Sequence, residues 1–273
     1  KTAYEISLGL VGSEMCIRDR LKHMPSQQNS INLDTFQSQS LIGYLTNANI
    51  GPRRHCFRLI TSGRVSINHV VVSKASTLIS SNDIISVDGK VIYFVDRKIY
   101  LKINKPQGVI STTYDDQGRP TILDLLPPEL KASRLYPIGR LDTNTTGLLL
   151  ITNDGILFNR LPHPRFQVEK EYIVGITGKL SVSQKSSLEK GILINGERTA
   201  SAKIKLIPSQ SDIEYSVTIH EGKKRQIRLM FMAAGLKVIS IKRVRIHNLI
   251  LGTLGLGKVE KLTKAELKNL FGN

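Results

Sequence analysis

The chain has 273 residues, with 39 Lys and Arg against 22 Asp and Glu, two Cys and no Trp, giving a formal charge of +17 and a pI near 9.9. A 40% hydrophobic content is enough to bury a core, which excludes bulk disorder, and the length suits one or two domains of roughly 100–200 residues each. The longest apolar runs, such as 148–151 and 249–251, fall far short of the roughly 18 residues that a membrane helix needs. Cys16 and Cys56 supply neither a disulfide framework nor CxxC spacing, so a soluble, cytoplasmic chain with free thiols is expected. The charge far exceeds the roughly 2–8 that solubility asks for, and it points to a polyanion whose counterions are released on binding, above all a nucleic acid.

Residues 1–23 precede Met24 and join no periodic pattern. The stretch 9–20 resembles translated sequencing-adapter read-through, so 1–23 are expected to be a foreign leader. A secretory signal is the competing reading, but Glu5 interrupts the apolar run, and a basic n-region of normal form and a small-residue cleavage site are lacking. Residues 24–36 are polar and expected to be disordered.

From 40 to 49, Leu41, Ile42, Tyr44 and Leu45 recur at helical spacing until Gly51-Pro52 breaks the chain. A second helix carries Cys56, Leu59 and Ile60 on one side, with Arg53, Arg54 and Arg58 largely on the other, and ends at Gly63. Alternation over 64–68, a turn at Asn68-His69 and an apolar 70–72 read as a hairpin; 84–87 followed by Asp88-Gly89-Lys90 reads as another. Two helices on a small sheet, arginines outward, make a basic domain over 37–92. The text GPRRHCFRLITSGRVSINHVVV, then DIISVDGKVI, resembles the alpha-L RNA-binding domain, which implies RNA contact by Arg53, Arg54, Arg58 and Arg64. His69 stands where that family usually has Gly, so a turn that is strained or differently shaped is expected.

Residues 99–104 alternate as a strand and lead into the turn Lys105-Pro106-Gln107-Gly108, after which 109–112 are expected to resume as strand; 115–120 form a loop. Then YPIGRLDTNTTG, an apolar run at 148–152 and Asn153-Asp154-Gly155 give strand, polar loop, buried strand and tight turn. Asp142 thus falls in a loop at a strand end, where functional groups sit on a rigid scaffold; an aspartate bonded to its own turn is the competing reading. Over 168–176 the alternation puts Val168, Lys170, Tyr172, Val174 and Ile176 on one face, so Tyr172 is either a stacking ring or a core tyrosine. Between 224 and 234, Ile227, Met230, Phe231 and Ala234 form the core stripe of a helix that stops at Gly235. Arg225 and Arg228 share its other side near the N-terminus, where dipole and guanidinium favour an anion, either a phosphate or a carboxylate such as Asp142.

Three segments, GRLDTNTTGLLLITNDG, LPHPRFQVEKEYIV and EGKKRQIRLMFMAAGLKVISIKRVRIHNLILG, resemble ribosomal RNA pseudouridine synthases of the RsuA/RluB type. With the alpha-L segment the resemblance spans about 40–268, in the family's order. It implies that Asp142 is the catalytic carboxylate, that Tyr172 lies against the target uracil and that Arg228 pairs with Asp142. Arg140, Lys170, Lys223, Lys224 and Arg225 join the candidate RNA-binding residues; Leu229 departs from the Arg common there. The implied fold is α+β, an N-terminal alpha-L domain followed by a mixed, mainly antiparallel catalytic domain over 97–270. The implied reaction is uridine to pseudouridine in ribosomal RNA by a monomer that needs no cofactor. HPRF and EKGILINGERTASAK favour the large subunit; a small-subunit enzyme and a non-catalytic ribosomal RNA-binding or assembly factor are the alternatives. Joint retention of Asp142, Tyr172 and Arg228 argues against the last. Asp142 acts as nucleophile or as base, and both roles need it ionised.

Two patterns mislead. Residues 252–258 have phosphate-loop spacing, but Val259 replaces the required Ser/Thr, so a loop between terminal strands is expected. Asn144-Thr145-Thr146 is a glycosylation sequon by pattern alone. His163, His220 and His247 lack metal-site spacing, and no metal is assigned.

Overall fold

The computed structural model describes residues 39–48, 50–93, 98–131, 133–208 and 213–271; the expected leader and the 24–36 segment lie outside the described residues. Strand β1 (Gln39–Ser40) runs into the helix Leu41–Asn47, where the Ser40 hydroxyl caps the first turn by accepting from the Gly43 N–H at 3.3 Å. After Gly51-Pro52 comes the helix Arg53–Thr61. Leu41, Leu45, Cys56, Leu59 and Ile60 from the two helices bury against Val65, Ile79 and Ile85 in one small core.

That sheet is built from β2 (Val65–Ile67), β3 (Val70–Val71), β5 (Ile85–Val87) and β6 (Lys90–Val91) in the order β3-β2-β5-β6, while β4 (Leu78–Ile79) pairs with β1. Both hairpins turn on two residues with positive φ, Asn68 at 49° and His69 at 68°, Asp88 at 50° and Gly89 at 77°. These are type I′ turns, so His69 preserves the ordinary shape and carries only the strain of a non-glycine residue in the left-handed region. The Asn68 side chain fixes the turn, donating to Asp83 at 2.7 Å and accepting from the Ile84 N–H at 2.9 Å.

The second region contains β7 (Tyr100–Lys105), β8 (Tyr136–Ile138), β9 (Thr146–Thr152), β10 (Lys170–Ile176), β11 (Leu193–Ile194), β12 (Glu197–Arg198), β13 (Lys203–Ile207), β14 (Ile213–Ile219), β15 (Val238–Ile246), β16 (Leu249–Ile250) and β17 (Val259–Lys261). Among the described residues nine of these form one sheet in the order β13-β14-β10-β15-β9-β7-β17, with β16 on β15 and β8 on β9. Its pairings are antiparallel except β9 with β15.

Both faces of this sheet are covered, which is why 148–151 reads as an unbroken apolar run. Leu149 and Ile151 join Leu101 and Ile103 on one face, under Leu188 of the helix Val182–Lys190 and Ile227, Met230 and Phe231 of the helix Gln226–Ala233. Leu148 and Leu150 point the other way, toward Leu157 of the helix Gly155–Arg160 and Leu270 of the helix Lys264–Phe271. Among the described residues no helix is long and apolar enough to cross a membrane.

Two expectations are corrected. Residues 109–112 form no strand; among the described residues one bridge, Ile110 with Thr121, remains, and the segment is a loop whose Ile110 backbone bonds to Pro120 and Ile122 while the Ser111 side chain bonds to Leu141 in the loop before β9. Strand β10 starts at Lys170, and Val168 packs on the second core while Tyr172, Val174 and Ile176 belong to the first. The 252–258 segment is the loop between β16 and β17.

The parallel seam is narrow: Lys242 pairs with Thr146 and Arg243 with Gly147. At Gly147 φ is +103°, and a Cβ there would lie 2.2 Å from the Arg243 carbonyl oxygen, so only glycine lets the two backbones approach.

Candidate active site

Asp142 sits in the loop 139–145 that joins β8 to β9. Leu141 before it is buried and Thr145 after it is buried, but Asp142 itself is exposed. The Asp142 carbonyl accepts from the Thr145 N–H at 3.0 Å, and among the described residues nothing donates to its carboxylate. This decides against an aspartate spent on its own turn; the charged oxygens are open to a ligand.

The loop is held from below at the residues on either side. Ser111 Oγ donates to the Leu141 carbonyl at 3.0 Å and accepts from the Leu141 N–H at 3.1 Å, while the Gly108 N–H donates to the Thr143 carbonyl at 3.0 Å. Lys105, 0% exposed, donates from Nζ to the Pro106 carbonyl at 2.8 Å and to the Thr143 carbonyl at 3.3 Å. Burial lowers its pKa from 10.5 to about 8, with the charge of Asp142 opposing the drop. Sequence reading passed over Lys105 as a turn residue. Its signal was the alternation Leu101, Ile103, Lys105, which puts all three on one face.

Pairing across the sheet extends this face into a row. Val217 on β14 stands opposite Tyr172 on β10, Tyr172 opposite Arg243 on β15, Arg243 beside Gly147 on β9, and Gly147 opposite Lys105 on β7. Directly paired residues share a face, so Tyr172, Arg243 and Lys105 line one surface, with a gap at Gly147 where β9 enters the Asp142 loop. Arg243 is buried, donates from Nε to the Leu148 carbonyl at 2.7 Å and leaves Nη2 without a hydrogen-bond partner among the described residues. Tyr172 is 8% exposed.

The helix Gln226–Ala233 lies over the same face and carries Arg228 to the loop. The pair expected between Arg228 and Asp142 is not formed: Arg228 Nη2 donates to the Asn144 carbonyl at 3.1 Å, and Arg228 with Asn144, Thr146, Gln107 and Ser240 lines a cleft of about 180 Å³. The guanidinium therefore grips the loop two residues past the carboxylate. Arg225 takes the helix N-cap position at φ 55° and is exposed, as are Lys224 and Arg140.

Three candidate RNA-binding side chains are otherwise engaged. Lys170 is half-buried, donates to the Val168 carbonyl at 3.2 Å and has its pKa lowered to about 8 by burial and then by the Arg243 charge. Lys223 donates to the Arg198 carbonyl at 2.9 Å and pairs with Glu197 at 2.8 Å. Arg64 forms a two-pronged contact with Asp88, at 2.7 and 2.5 Å. By contrast Arg53, Arg54 and Arg58 are exposed and, with Phe57 at 50% exposure and Ile42, border an open cleft of about 710 Å³. Cations interleaved with an aromatic ring suit a nucleic-acid strand. Among the described residues no group of three or more His, Cys, Asp or Glu could hold a metal ion.

Residues 99–233 match the family of RNA pseudouridylate synthases, and residues 43–85 match the S4 domain. The ribosomal large subunit pseudouridine synthase B of Bacillus subtilis (strain 168) is 38% identical over 229 residues, 83% of this chain and 93% of that protein. An uncharacterized RNA pseudouridine synthase of Aquifex aeolicus (strain VF5) is 35% identical over 233 residues, 84% of this chain and 92% of its own. A crystal structure of a pseudouridylate synthase superposes with a TM-score of 0.61 at 30% identity, covering 85% of this chain and all of that one. Likeness of that extent runs through the S4 region, the Asp142 loop and the helix that grips it, and the chain belongs to the RNA pseudouridine synthases, of the RsuA/RluB type, with an N-terminal S4 domain.

Proposed function

We propose that this enzyme isomerises a uridine of large-subunit ribosomal RNA, working as a cytoplasmic monomer with Asp142 as its catalytic carboxylate. The observation that carries the assignment is the open Asp142 side chain in a loop bonded at Leu141, Thr143 and Asn144. The large-subunit target is supported by the name of the 38% identical Bacillus relative. Isomerisation breaks the bond between C1′ and N1, turns the uracil and joins C1′ to C5, with the C5 proton lost and N1 gaining one. No electron is exchanged, so a carboxylate, a surface for the ring and restraint of the nucleotide suffice.

In this reading the S4 domain takes the phosphates through Arg53, Arg54 and Arg58, and Arg140, Lys224 and Arg225 guide the strand near the site. Tyr172 backs the extruded uracil, and Arg228 and Lys105 hold the Asp142 loop against the sheet. A uridine in a loop or bulge is the cheaper substrate, because unstacking it costs less than opening an A-form helix.

Carbodiimide mapping of pseudouridine on large- and small-subunit ribosomal RNA, with and without the protein, tests the assignment. A new stop in large-subunit RNA is expected, and Asp142→Asn should remove it while RNA affinity stays within a few-fold, since losing a negative charge cannot weaken phosphate binding. Turnover by the Asn variant would falsify the role of Asp142; a stop confined to small-subunit RNA would overturn the target.

A further inference from the structure

The loop 106–120 has an inner end and an outer end. The inner end is the part that Ser111 and Gly108 fasten to Leu141 and Thr143, the two neighbours of Asp142. The Ile110 N–H donates to the Pro120 carbonyl at 2.9 Å and the Ile122 N–H to the Ile110 carbonyl at 3.1 Å, which closes the base of the loop.

The outer end is organised around one carboxylate. Asp115, whose side chain is only 7% exposed, accepts from the N–H of Gln117 at 3.2 Å and of Arg119 at 2.9 Å, and from Arg119 Nε at 3.1 Å and Nη2 at 2.6 Å. The Arg119 guanidinium is the main reason that its pKa falls to about 2, so the turn keeps its charge at any working pH. Thr112 adds a bond from its hydroxyl to the Tyr114 carbonyl at 2.9 Å. On this pre-formed turn stands Tyr114, 78% exposed.

A single exposed ring is ordinary on a protein surface. This one differs by its attachment. Ser111 is in hydrogen-bond contact with Leu141, and the three residues from Ser111 to Tyr114 span at most about 10 Å. With the Ser111–Leu141 contact and the further step to Asp142 added, Tyr114 lies within about 20 Å of the target position, at most about six bases at roughly 3.4 Å per stacked base. An aromatic face on a turn that is already ordered loses little conformational freedom on binding, which is what a stacking platform requires.

We infer that Tyr114 stacks on an RNA base flanking the uridine presented to Asp142, and so helps to hold that uridine out of its strand. The inference rests on the RNA-modifying role assigned above and adds a positioning residue to it. Stacking needs a π face and no hydroxyl, so phenylalanine serves as well as tyrosine.

The absence of tryptophan provides a direct reporter. Tyr114→Trp places the single indole of the chain at this position, and Val182→Trp, at a residue 89% exposed on the helix Val182–Lys190, places it elsewhere. On titration with an in vitro transcript of bacterial large-subunit ribosomal RNA, emission from Tyr114→Trp should be strongly quenched and that from Val182→Trp little changed. In single-turnover assays on the same transcript, Tyr114→Ala should slow isomerisation about tenfold at saturating RNA, and Tyr114→Phe should restore the wild-type rate. Equal quenching at both positions, a wild-type rate for Tyr114→Ala, or failure of Tyr114→Phe to restore the rate overturns the stacking role. A wild-type protein that leaves the transcript unmodified contradicts the proposed target, while the emission comparison still decides for or against stacking.

Discussion

Replacing Lys105 with Met separates the cost of burying a charge from the use made of it. The ammonium is 0% exposed and its pKa stands at about 8 rather than 10.5. A gap of 10.5 − 8 = 2.5 pH units, at about 1.4 kcal/mol each, means that burying the charge costs folding roughly 3 kcal/mol at neutral pH. Against this stand two hydrogen bonds to the Pro106 and Thr143 carbonyls, open to the amine in either protonation state and lost in Met, each contributing about 0.5–1.5 kcal/mol. The opposing effects nearly cancel, so Lys105→Met should lie within about 2 kcal/mol of wild type at pH 7 in urea unfolding. The pH dependence then identifies the charge. The native-state value is depressed, so between pH 8 and 10.5 the unfolded chain binds a proton that the native chain has released. Wild-type stability therefore rises through that window, and relative to the Met variant it should gain roughly 3 kcal/mol, the gain starting near pH 8 and ending near 10.5. Lys170 titrates in the same window in both proteins and cancels from the difference. Single-turnover isomerisation by the variant should fall about tenfold, because Thr143, next to Asp142, loses one of its two tethers and keeps only the Gly108 N–H. Parallel stability curves from pH 7 to 10.5 would show that the ammonium is not buried and would refute the reasoning; an unchanged rate would refute the tether.

Changing Arg53, Arg54 and Arg58 together to Ala should weaken RNA binding and flatten the plot of log K against log[salt] by up to about three phosphate contacts, with the single-turnover rate at saturating RNA little changed. Gly147→Ala drives a methyl into the Arg243 carbonyl at a φ of +103°, so urea unfolding should show a loss of about 3 kcal/mol or more. His69→Gly relieves a left-handed non-glycine residue in the first hairpin, and thermal unfolding should show a gain of about 0.5–1 kcal/mol with unaltered isomerisation.

The parts of the molecule governed by local periodicity were legible in the sequence. The stripe Ile227, Met230, Phe231 declared the helix that carries Arg228, and the two-residue turns at Asn68-His69 and Asp88-Gly89 declared the hairpins. What escaped depends on partners distant in the chain. Residues 109–112 look like a strand because Val109, Ile110 and Thr112 are β-branched, yet their neighbours are Pro120 and Leu141 rather than a sheet edge. The Arg228 contact hinges on an alignment of helix and loop at the scale of one side chain, and two residues separate the expected carboxylate from the carbonyl actually bonded. Lys105 reads as part of a turn and Arg243 draws no reading, because the alternation that puts Lys105 on the face of Leu101 and Ile103 does not say that helices will cover that face.

The narrow parallel seam at Gly147 has a consequence for the order of events in the life of the chain. On one side of it lie β7, β8, β9 and Asp142; on the other lie β10, β14, β15, Tyr172 and the helix of Arg228. Each side can find its antiparallel neighbours separately, but the bond from Arg243 to Leu148 spans 95 residues, and contacts of such separation form late. The helices and hairpins of the S4 domain close over far shorter stretches. A chain emerging from synthesis thus acquires its grip on RNA before it has a centre able to alter RNA, and the chemistry is withheld until the two halves have docked.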